Sequence, residues 1–422
     1  MKKIRLSVLL LELALLMALL VPPAAGLSAV ADFARPIGKS VVISNNASVE
    51  EVDPVVVYNG KAREYLVVFW NDRPGNDDIR AERVSAAGKP LGGFWVAAGA
   101  GHDRRHPRVA YNWPDNQYLV VWEDYVQSAG LYTIQGKIVS ATGALVSDEM
   151  IQGISLSATP SLPAVAYSST SDRYLVVWQQ VVGTPPTTWE SVVGQLVNGD
   201  GTLYGSKFYI GEDMGGQPRH RPDIVYNRGR NDFLVIWEQK YWGSTDYDIE
   251  GRLVGSDGTW GTPVVMPRST EEESRPHAAV LPTVVSNGDY IVVWQSGGNP
   301  QYVYEQLVSG LGTLIGPQHA SASVNSGLYL ISNVAANENS QQFLLTVKGS
   351  SNPLMGQGLA YDFSTWSVWY DFDSGPGADH PAAAGGEGNS FLVVFDRSPA
   401  GSRDIYAQLW GYGVFVPLVM RK

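Results

Sequence analysis

Short runs of apolar residues recur at regular intervals and dominate the hydrophobic pattern of the 422-residue chain. Each run begins with an aromatic residue and continues with mostly aliphatic residues. The seven runs are residues 65–69, 118–122, 174–178, 233–237, 290–294, 343–347 and 391–395. Their fifth residues lie 48 to 59 positions apart, a spacing typical of a repeated, strand-rich unit. The pattern therefore predicts a closed ring of β-blades instead of the two or three domains suggested by length alone.

Each repeat contains signals for four antiparallel strands. The first strand follows a proline, and the apolar run forms the second. The introducing prolines are Pro54, Pro107, Pro163, Pro222, Pro276 and Pro381. An alternating segment such as residues 249–254 predicts the third strand, and a glycine turn leads into the fourth.

Two positions within the repeat carry packing predictions. A Gly or Ala in third place of the third strand indicates close approach by a large neighbour, which we expect to be the aromatic residue of the second strand. The tryptophans that end the second strands are expected to pack between blades. They are Trp122, Trp178, Trp237 and Trp294.

The two ends of the chain indicate how the ring closes. The last repeat, residues 381–410, contains only three strands, whereas a spare strand, residues 40–44, precedes the first repeat. We expect this N-terminal strand to complete the seventh blade, which leaves no open edge. The sixth repeat lacks its proline, so six blades around a gap are the alternative. The sequence predicts an all-β fold, a single seven-bladed β-propeller over residues 32–413, with a short C-terminal tail at 414–422.

Residues 1–31 have the pattern of a secretory signal peptide. Lys2, Lys3 and Arg5 precede an apolar run, and Ala29-Val30-Ala31 forms a cleavage motif. A membrane anchor is the alternative, but the run is short and contains Glu12. We therefore expect a secreted protein, extracellular or at the cell surface, whose mature chain does not insert into a membrane. A core of this size does not need disulfides, which fits the absence of cysteine.

The net charge of −11 bears on the partners. An acidic protein is repelled by nucleic acid and by anionic membrane surfaces, so neither is expected as a partner. We expect a monomer.

The repeats contain the motifs Pro-x-x-x-Tyr, Tyr-Leu-Val-Val-Trp-Glu, Ile-x-Gly-x-Leu-Val and Asp-Gly. This combination resembles repeats of secreted bacterial β-propellers of unassigned function. The likeness covers roughly residues 40–410. It implies the fold and export, and it implies no catalytic residue. Residues 414–421 resemble a short terminal signature of exported proteins from some filamentous bacteria; a final strand or ordered tail is the alternative.

Charged residues cluster where the chain enters the first strands. These segments are expected to be loops that share one face with the loops leaving the second strands, and loops often carry function. Arginines and histidines there face carboxylates, an arrangement suited to a sugar or an anionic ligand. The candidate ligand-binding residues are Arg105, His106, Glu123, Arg221, Glu238, Arg275, His380 and Asp396. The alternative is that these groups pair between blades and only hold the ring.

The sequence favours a non-enzymatic binding protein whose ligand is a glycan, an anionic small molecule or a protein. A carbohydrate-active hydrolase or lyase of sialidase or glycosidase type is the first alternative, with Glu123, Glu238 and Asp396 as available carboxylates. A structural cell-surface component is the second. No catalytic residue, metal ligand or cofactor is predicted, because no nucleophile elbow, phosphate loop or metal-ligand spacing is present.

Overall fold

The computed structural model describes residues 33–46, 48–73, 75–152, 158–182, 189–210, 217–241, 243–244, 246–280, 288–298, 301–324, 332–348, 353–361, 365–375, 377–399 and 401–411. The predicted signal peptide and C-terminal tail lie outside these ranges. The regular structure that is described consists of β-strands. No helix with the length and apolar character needed to cross a membrane occurs among the described residues.

Twenty-nine strands follow one another along the described chain. The chain begins with β1 (Arg35–Pro36) and β2 (Val41–Ser44). Blades 1 to 3 comprise β3 (Glu50–Asn59), β4 (Glu64–Asp72), β5 (Asp78–Ser85), β6 (Pro90–Ala97); β7 (His102–Asn112), β8 (Gln117–Val126), β9 (Leu131–Ser140), β10 (Leu145–Gln152); and β11 (Ala158–Ser168), β12 (Arg173–Val182), β13 (Trp189–Asn198), β14 (Leu203–Tyr209).

Blades 4 to 7 continue the same order. They comprise β15 (Arg219–Asn227), β16 (Asp232–Lys240), β17 (Tyr247–Gly255), β18 (Trp260–Val265); β19 (Glu273–Val280), β20 (Tyr290–Ser296), β21 (Gln301–Val308), β22 (Leu314–Val324); β23 (Ser332–Asn337), β24 (Gln342–Lys348), β25 (Leu354–Ala360), β26 (Tyr370–Asp373); and β27 (Asp379–Gly385), β28 (Phe391–Arg397), β29 (Asp404–Gly411).

Every blade is an antiparallel sheet in which consecutive strands are neighbours. The sixth repeat, the weakest match in sequence, forms a complete four-stranded blade, β23 to β26. The protein is therefore a seven-bladed β-propeller, and the alternative of six blades around a gap is wrong.

The N-terminal segment completes the seventh blade, as predicted. Strand β2 pairs with β29 through Val41 and Ala407, and β1 pairs with the same strand through Arg35 and Gly411. Both N-terminal strands therefore cover the outer edge of β29, which would otherwise expose unpaired backbone groups.

The hydrophobic core lies between the faces of adjacent blades. Along β12, Tyr174, Val176 and Trp178 pack against blade 2, whereas Leu175 and Val177 pack against blade 4. Both faces of each second strand are covered, which explains why these strands are apolar at successive positions. The four repeat tryptophans are buried, which confirms their predicted packing role.

One packing prediction is wrong. At Gly194 an added Cβ would lie about 3.0 Å from Phe208, in the fourth strand, and from Ile210, which follows that strand. At Gly356 it would lie 2.4 Å from Trp410 of blade 7. At Gly251, in the segment 249–254, it would meet the Val235 carbonyl at 2.7 Å and Ile236 at 2.9 Å, both in the second strand. At none of these three positions is the neighbour the aromatic residue of the second strand. The sequence does not reveal this, because a packing partner can come from another strand or another blade.

Candidate functional site

The first strand of six blades is interrupted at the residue before the introducing proline. There the strand pairing shifts by one residue, as between Arg105 and Arg108 in β7, which defines a β-bulge. The six bulge residues all have φ between 47° and 55°, and they are Asp53, His106, Leu162, Arg221, Arg275 and His380. A left-handed conformation costs a residue with a side chain roughly 1 kcal/mol or more. The bulges persist because contacts around them compensate.

The bulge also corrects the predicted boundaries of the first strands. The charged segments at 102–106, 219–221, 273–275 and 379–380 were expected to be loops, but they belong to β7, β15, β19 and β27. Pairing with the second strand resumes on the N-terminal side of the bulge, as between Arg105 and Glu123. The proline thus marks a bulge within the strand and not its start.

Side chains of the preceding blade hold the bulge backbone. The N–H of Leu162 donates to Glu123 Oε2 at 3.0 Å, and the N–H of Arg275 donates to Glu238 Oε1 at 2.9 Å. Asp396 accepts from the N–H of Asp53 in the same way, at 3.1 Å, across the junction of blades 7 and 1. These three predicted site carboxylates therefore join adjacent blades.

Two of these carboxylates also bind the bulge histidine of their own blade. His106 Nδ1 lies 2.9 Å from Glu123 Oε1, and His380 Nδ1 lies 2.7 Å from Asp396 Oδ2. Burial alone would lower the pKa of His380, but the hydrogen bond and charge of Asp396, with nearby Asp53 and Asp379, raise it. Burial would raise the pKa of Glu123, but His106 and the Leu162 N–H hold it below its ordinary value.

The third carboxylate lies beside two arginines. Glu238 Oε1 is 3.5 Å from Arg221 Nε of its own blade, besides accepting from the backbone of Arg275. Burial raises the pKa of Glu238 in spite of these contacts. Glu238 thus contacts the side chain of Arg221 in its own blade and the backbone of Arg275 in the next blade.

A cavity of about 310 Å³ occupies the centre of the ring, and the first strands line it. The lining comes in three layers along the strands. The bulge layer contains Asp53, Leu162, Arg221, Arg275 and His380. The second layer, two residues further on, contains Val55, Arg108, Ala164, Asp223, His277, Asn333 and Ala382. The third is apolar and contains Val56, Val109, Val165, Ile224, Ala278, Val334 and Ala383.

Some ionisable side chains of the bulge layer and the second layer form contacts with side chains of the neighbouring blade. Arg108 Nη1 lies 3.4 Å from Asp53 Oδ2, and His277 Nδ1 lies 3.3 Å from Asp223 Oδ2. Burial would raise the pKa of Asp53, but the attraction of Arg108 and two histidines lowers it. Burial and the positive charge of Arg221 lower the pKa of Arg275. The bulge layer therefore carries its two arginines, Arg221 and Arg275, at blades 4 and 5.

The structure brings three of the eight candidate residues to the cavity, namely Arg221, Arg275 and His380. His106, Glu123, Glu238 and Asp396 form the contacts between strands and blades described above. Arg105 is separate, because its Nε lies 2.5 Å from Asp77 Oδ2 and its guanidinium covers the ring of Trp70 at 5.3 Å. Whether any of the eight binds a ligand remains a prediction.

Four ionisable residues of the cavity were not among the candidates: Asp53, Arg108, Asp223 and His277. Their distance from the introducing proline is the sequence feature that identifies them. Three of them follow the bulge residue by two positions, which places them on the same side of the strand. Among the residues that the structure describes, no group of three or more His, Asp or Glu side chains could hold a metal ion.

Comparison with known proteins identifies the fold and not a family. No protein-family profile matches the chain, and no curated protein matches it. Among solved structures, the BP39L lectin from Burkholderia pseudomallei superposes with a TM-score of 0.59 at 14% identity, covering 86% of this chain and 98% of the lectin. A protein of unknown function from Dyadobacter fermentans gives 0.51 at 12% identity, covering 90% and 99%. The Hadza microbial sialidase Hz136 gives 0.50 at 13%, covering 79% and 73%.

Proposed function

We propose that this β-propeller is a secreted binding protein that takes an anionic ligand, such as an acidic sugar, at the bulge layer of its central cavity. The signal-like pattern of residues 1–31 supports secretion. The cavity is open to a small ligand, and its charged layer overlies an apolar wall, a combination common in ligand sites.

The observation that carries the proposal is the placement of Arg221 and Arg275. They occupy equivalent bulges of adjacent blades, both line the cavity, and Glu238 lies between them. Both arginines attract Glu238 electrostatically, and the charge of Arg221 repels Arg275 and helps to lower its pKa. A ligand carboxylate or sulfate at this place would relieve that repulsion through charge-assisted hydrogen bonds, which are stronger than neutral ones.

Two of the similar structures are a lectin and a sialidase by name. At 13–14% identity they show the fold alone, so the ligand class rests on the chemistry of the cavity. We therefore propose an acidic glycan or a sugar acid, recognised mainly through its negative charge.

The hydrolase or lyase remains the alternative, and no specific contact favours it. A glycosidase needs two carboxylates that flank the scissile bond. Among the described residues, the carboxylates that line the cavity are Asp53 and Asp223, and each contacts a basic side chain of the next blade. Turnover of a sialoside or uronide that is lost in Asp53→Asn would support the alternative.

The binding proposal is tested by calorimetric titration with N-acetylneuraminic acid, glucuronic acid and neutral galactose. We expect a saturable signal for at least one acid and none for galactose. Arg221→Gln and Arg275→Gln should each weaken the acid's binding by about tenfold or more, the factor expected for one charge-assisted hydrogen bond.

Arg228→Gln is the matched control, because Arg228 is an exposed arginine at the other end of the same strand pair. Binding that tolerates both cavity substitutions, or that Arg228→Gln weakens equally, would overturn the proposal.

A further inference from the structure

The wall of the central cavity is not uniform around the ring. In the third layer, blades 1 to 4 contribute β-branched side chains. They are Val56, Val109, Val165 and Ile224. Blades 5 and 7 contribute alanine at the same position, Ala278 and Ala383. Alanine lacks the two methyl groups that valine carries beyond Cβ, so the cavity has additional room on the side of blades 5 to 7.

Blade 6, which lies between these two alanines, contributes an amide to the second layer. This residue is Asn333, the one polar side chain without an ionisable group among the described residues that line the cavity. Its Oδ1 accepts the backbone N–H of Ala383 in blade 7 at 3.1 Å. Asp223 Oδ2 accepts the N–H of Ala278 in blade 5 at the same distance. An amide therefore makes the same contact between blades that a carboxylate makes elsewhere in this layer.

The amide differs from the carboxylate in what it offers to the cavity. A backbone N–H must be met by an oxygen, so the bond from Ala383 fixes the orientation of the Asn333 amide. The amide nitrogen, Nδ2, has no hydrogen-bond partner among the residues that the structure describes, and it retains accessible surface. It therefore stands at the cavity wall as a donor, whereas an ionised aspartate such as Asp223 only accepts.

This donor and the two alanines lie deeper in the cavity than the arginines. The bulge layer and the second layer are two residues apart, which is about 7 Å along a strand and comparable to the distance across a sugar ring. A substituent opposite the acidic group of a sugar acid would therefore reach the second and third layers. A neutral donor beside methyl-sized room fits a carbonyl oxygen whose carbon carries a methyl group.

We propose that the acid bound at the bulge layer carries an acetamido group. Its carbonyl oxygen accepts from Asn333 Nδ2, and its methyl group fills the space beside Ala278 and Ala383. Asn333 is then the residue that selects among acids, whereas Arg221 and Arg275 bind the negative charge that all of them share. The inference rests on the function proposed above, because the two arginines place the acid in the cavity.

Calorimetric titration of the protein with matched pairs of acids tests the inference. One pair is N-acetylneuraminic acid and its analogue with a hydroxyl in place of the acetamido group. The other is 2-acetamido-2-deoxyglucuronic acid and glucuronic acid. In at least one pair we expect the acetamido acid to bind about tenfold more tightly, the factor for one neutral hydrogen bond together with one buried methyl group.

Asn333→Asp is the deciding variant, because it keeps the acceptor for the Ala383 N–H and removes the donor. Its added charge weakens both acids of a pair, so the quantity to compare is the ratio of their affinities. We expect that ratio to fall by about threefold or more. Ala383→Val, which introduces the valine that blades 1 to 3 carry at this position, should lower the ratio as well. Asn339→Asp adds the same charge at the exposed turn of blade 6 and should leave the ratio unchanged.

The outcomes separate this inference from the function on which it rests. Equal affinities within both pairs would overturn the acetamido assignment and leave the proposed function intact. A preference for the acetamido acid that Asn333→Asp does not change would also overturn it. If no acid binds, or if Arg275→Gln leaves the binding of the acids unchanged, the proposed function itself fails and this inference fails with it.

Discussion

The two ends of the first strand use their side chains in opposite ways. At the end with the hairpin turn, five blades carry a small polar residue at the same position, namely Asn59, Asn112, Ser168, Asn227 and Asn337. At the end with the bulge, the backbone is the same in six blades but the side chains are unlike. Repetition at the turn end holds the ring together. Variation on a repeated backbone at the bulge end is where we propose the ligand site.

The turn end shows what the repeated residue does. Asn227 Oδ1 accepts from the N–H of Gly229 at 3.0 Å within its own turn. Its Nδ2 donates to the carbonyl of Gly288 at 2.6 Å and to the Tyr290 hydroxyl at 3.0 Å in the next blade. One buried amide therefore shapes a turn and links two blades.

We expect the largest change in stability at Asp396. This residue lies at the bulge end of the strands, yet it also joins two blades. Asp396→Ala would leave His380, Arg403 and the N–H of Asp53 without their buried acceptor. We expect a loss of roughly 3 to 4 kcal/mol in unfolding free energy, measured by chemical denaturation. Asp396→Asn, which keeps an acceptor, should lose clearly less. An unchanged stability in Asp396→Ala would show that the ring does not depend on this contact.

The second effect concerns pH. Glu51 lies two residues before the Asp53 bulge and accepts from Ser44 Oγ of the closing strand β2 at 2.8 Å. Burial raises its pKa from 4.5 to about 7. The folded state therefore keeps a proton that the unfolded state loses, so stability present below pH 4.5 is lost as the pH rises towards 7.

Glu51→Gln should remove this loss. We expect it to raise the unfolding free energy at pH 8 by about 2 kcal/mol and to change little at pH 4. The exposed neighbour Glu50 provides the control variant Glu50→Gln. Equal effects of Glu51→Gln at both pH values would contradict the assigned titration.

The third effect tests the turn end. Asn227→Ala removes two hydrogen bonds to blade 5 and one within the turn, so we expect a loss of about 2 kcal/mol in unfolding free energy. Arg228→Ala, next to it and exposed, should change stability by less than about 0.5 kcal/mol. If the two variants were equally stable, the repeated amide would not be what links the blades.

The smallest effect isolates the bulge backbone. Leu162→Gly should change the unfolding free energy by less than about 1 kcal/mol, because relief of the left-handed conformation offsets the lost side-chain burial. Val165→Gly, in a regular part of the same strand, should be clearly more destabilising. Denaturation midpoints that fall equally would mean that the bulge carries no strain.

The repeat predicted the number of blades and the closure of the ring because both follow from hydrophobic alternation, which repeats in every unit. It predicted that the four tryptophans pack between blades for the same reason. It placed the start of the first strand at the proline, because a bulge with a left-handed residue leaves no compositional signal when Leu162 or His106 occupies it. The small residue in third place of the third strand was assigned an aromatic neighbour that Gly194 and Gly251 do not have, since sequence spacing does not specify contacts across strands.

Of the eight candidate residues, three lie at the central cavity, and whether they form a ligand site stays a prediction. The signal for Arg221, Arg275 and His380 was their position before a proline, and the structure places all three at the cavity. Glu123 and Glu238 were chosen for their charge, which does not distinguish a carboxylate that binds a ligand from one that accepts a backbone N–H. That distinction requires the three-dimensional contacts.

The central claim is that unlike side chains at the bulge end bind a ligand whereas repeated side chains at the turn end stabilise the ring. The most direct test measures both ligand affinity and unfolding free energy for Arg275→Gln and Asn227→Ala, with the acid that binds the wild-type protein. We expect Arg275→Gln to lower the affinity by about tenfold or more and leave stability nearly unchanged. Asn227→Ala should do the reverse. Variants in which affinity and stability fall together, or an affinity unchanged in Arg275→Gln, would contradict the claim.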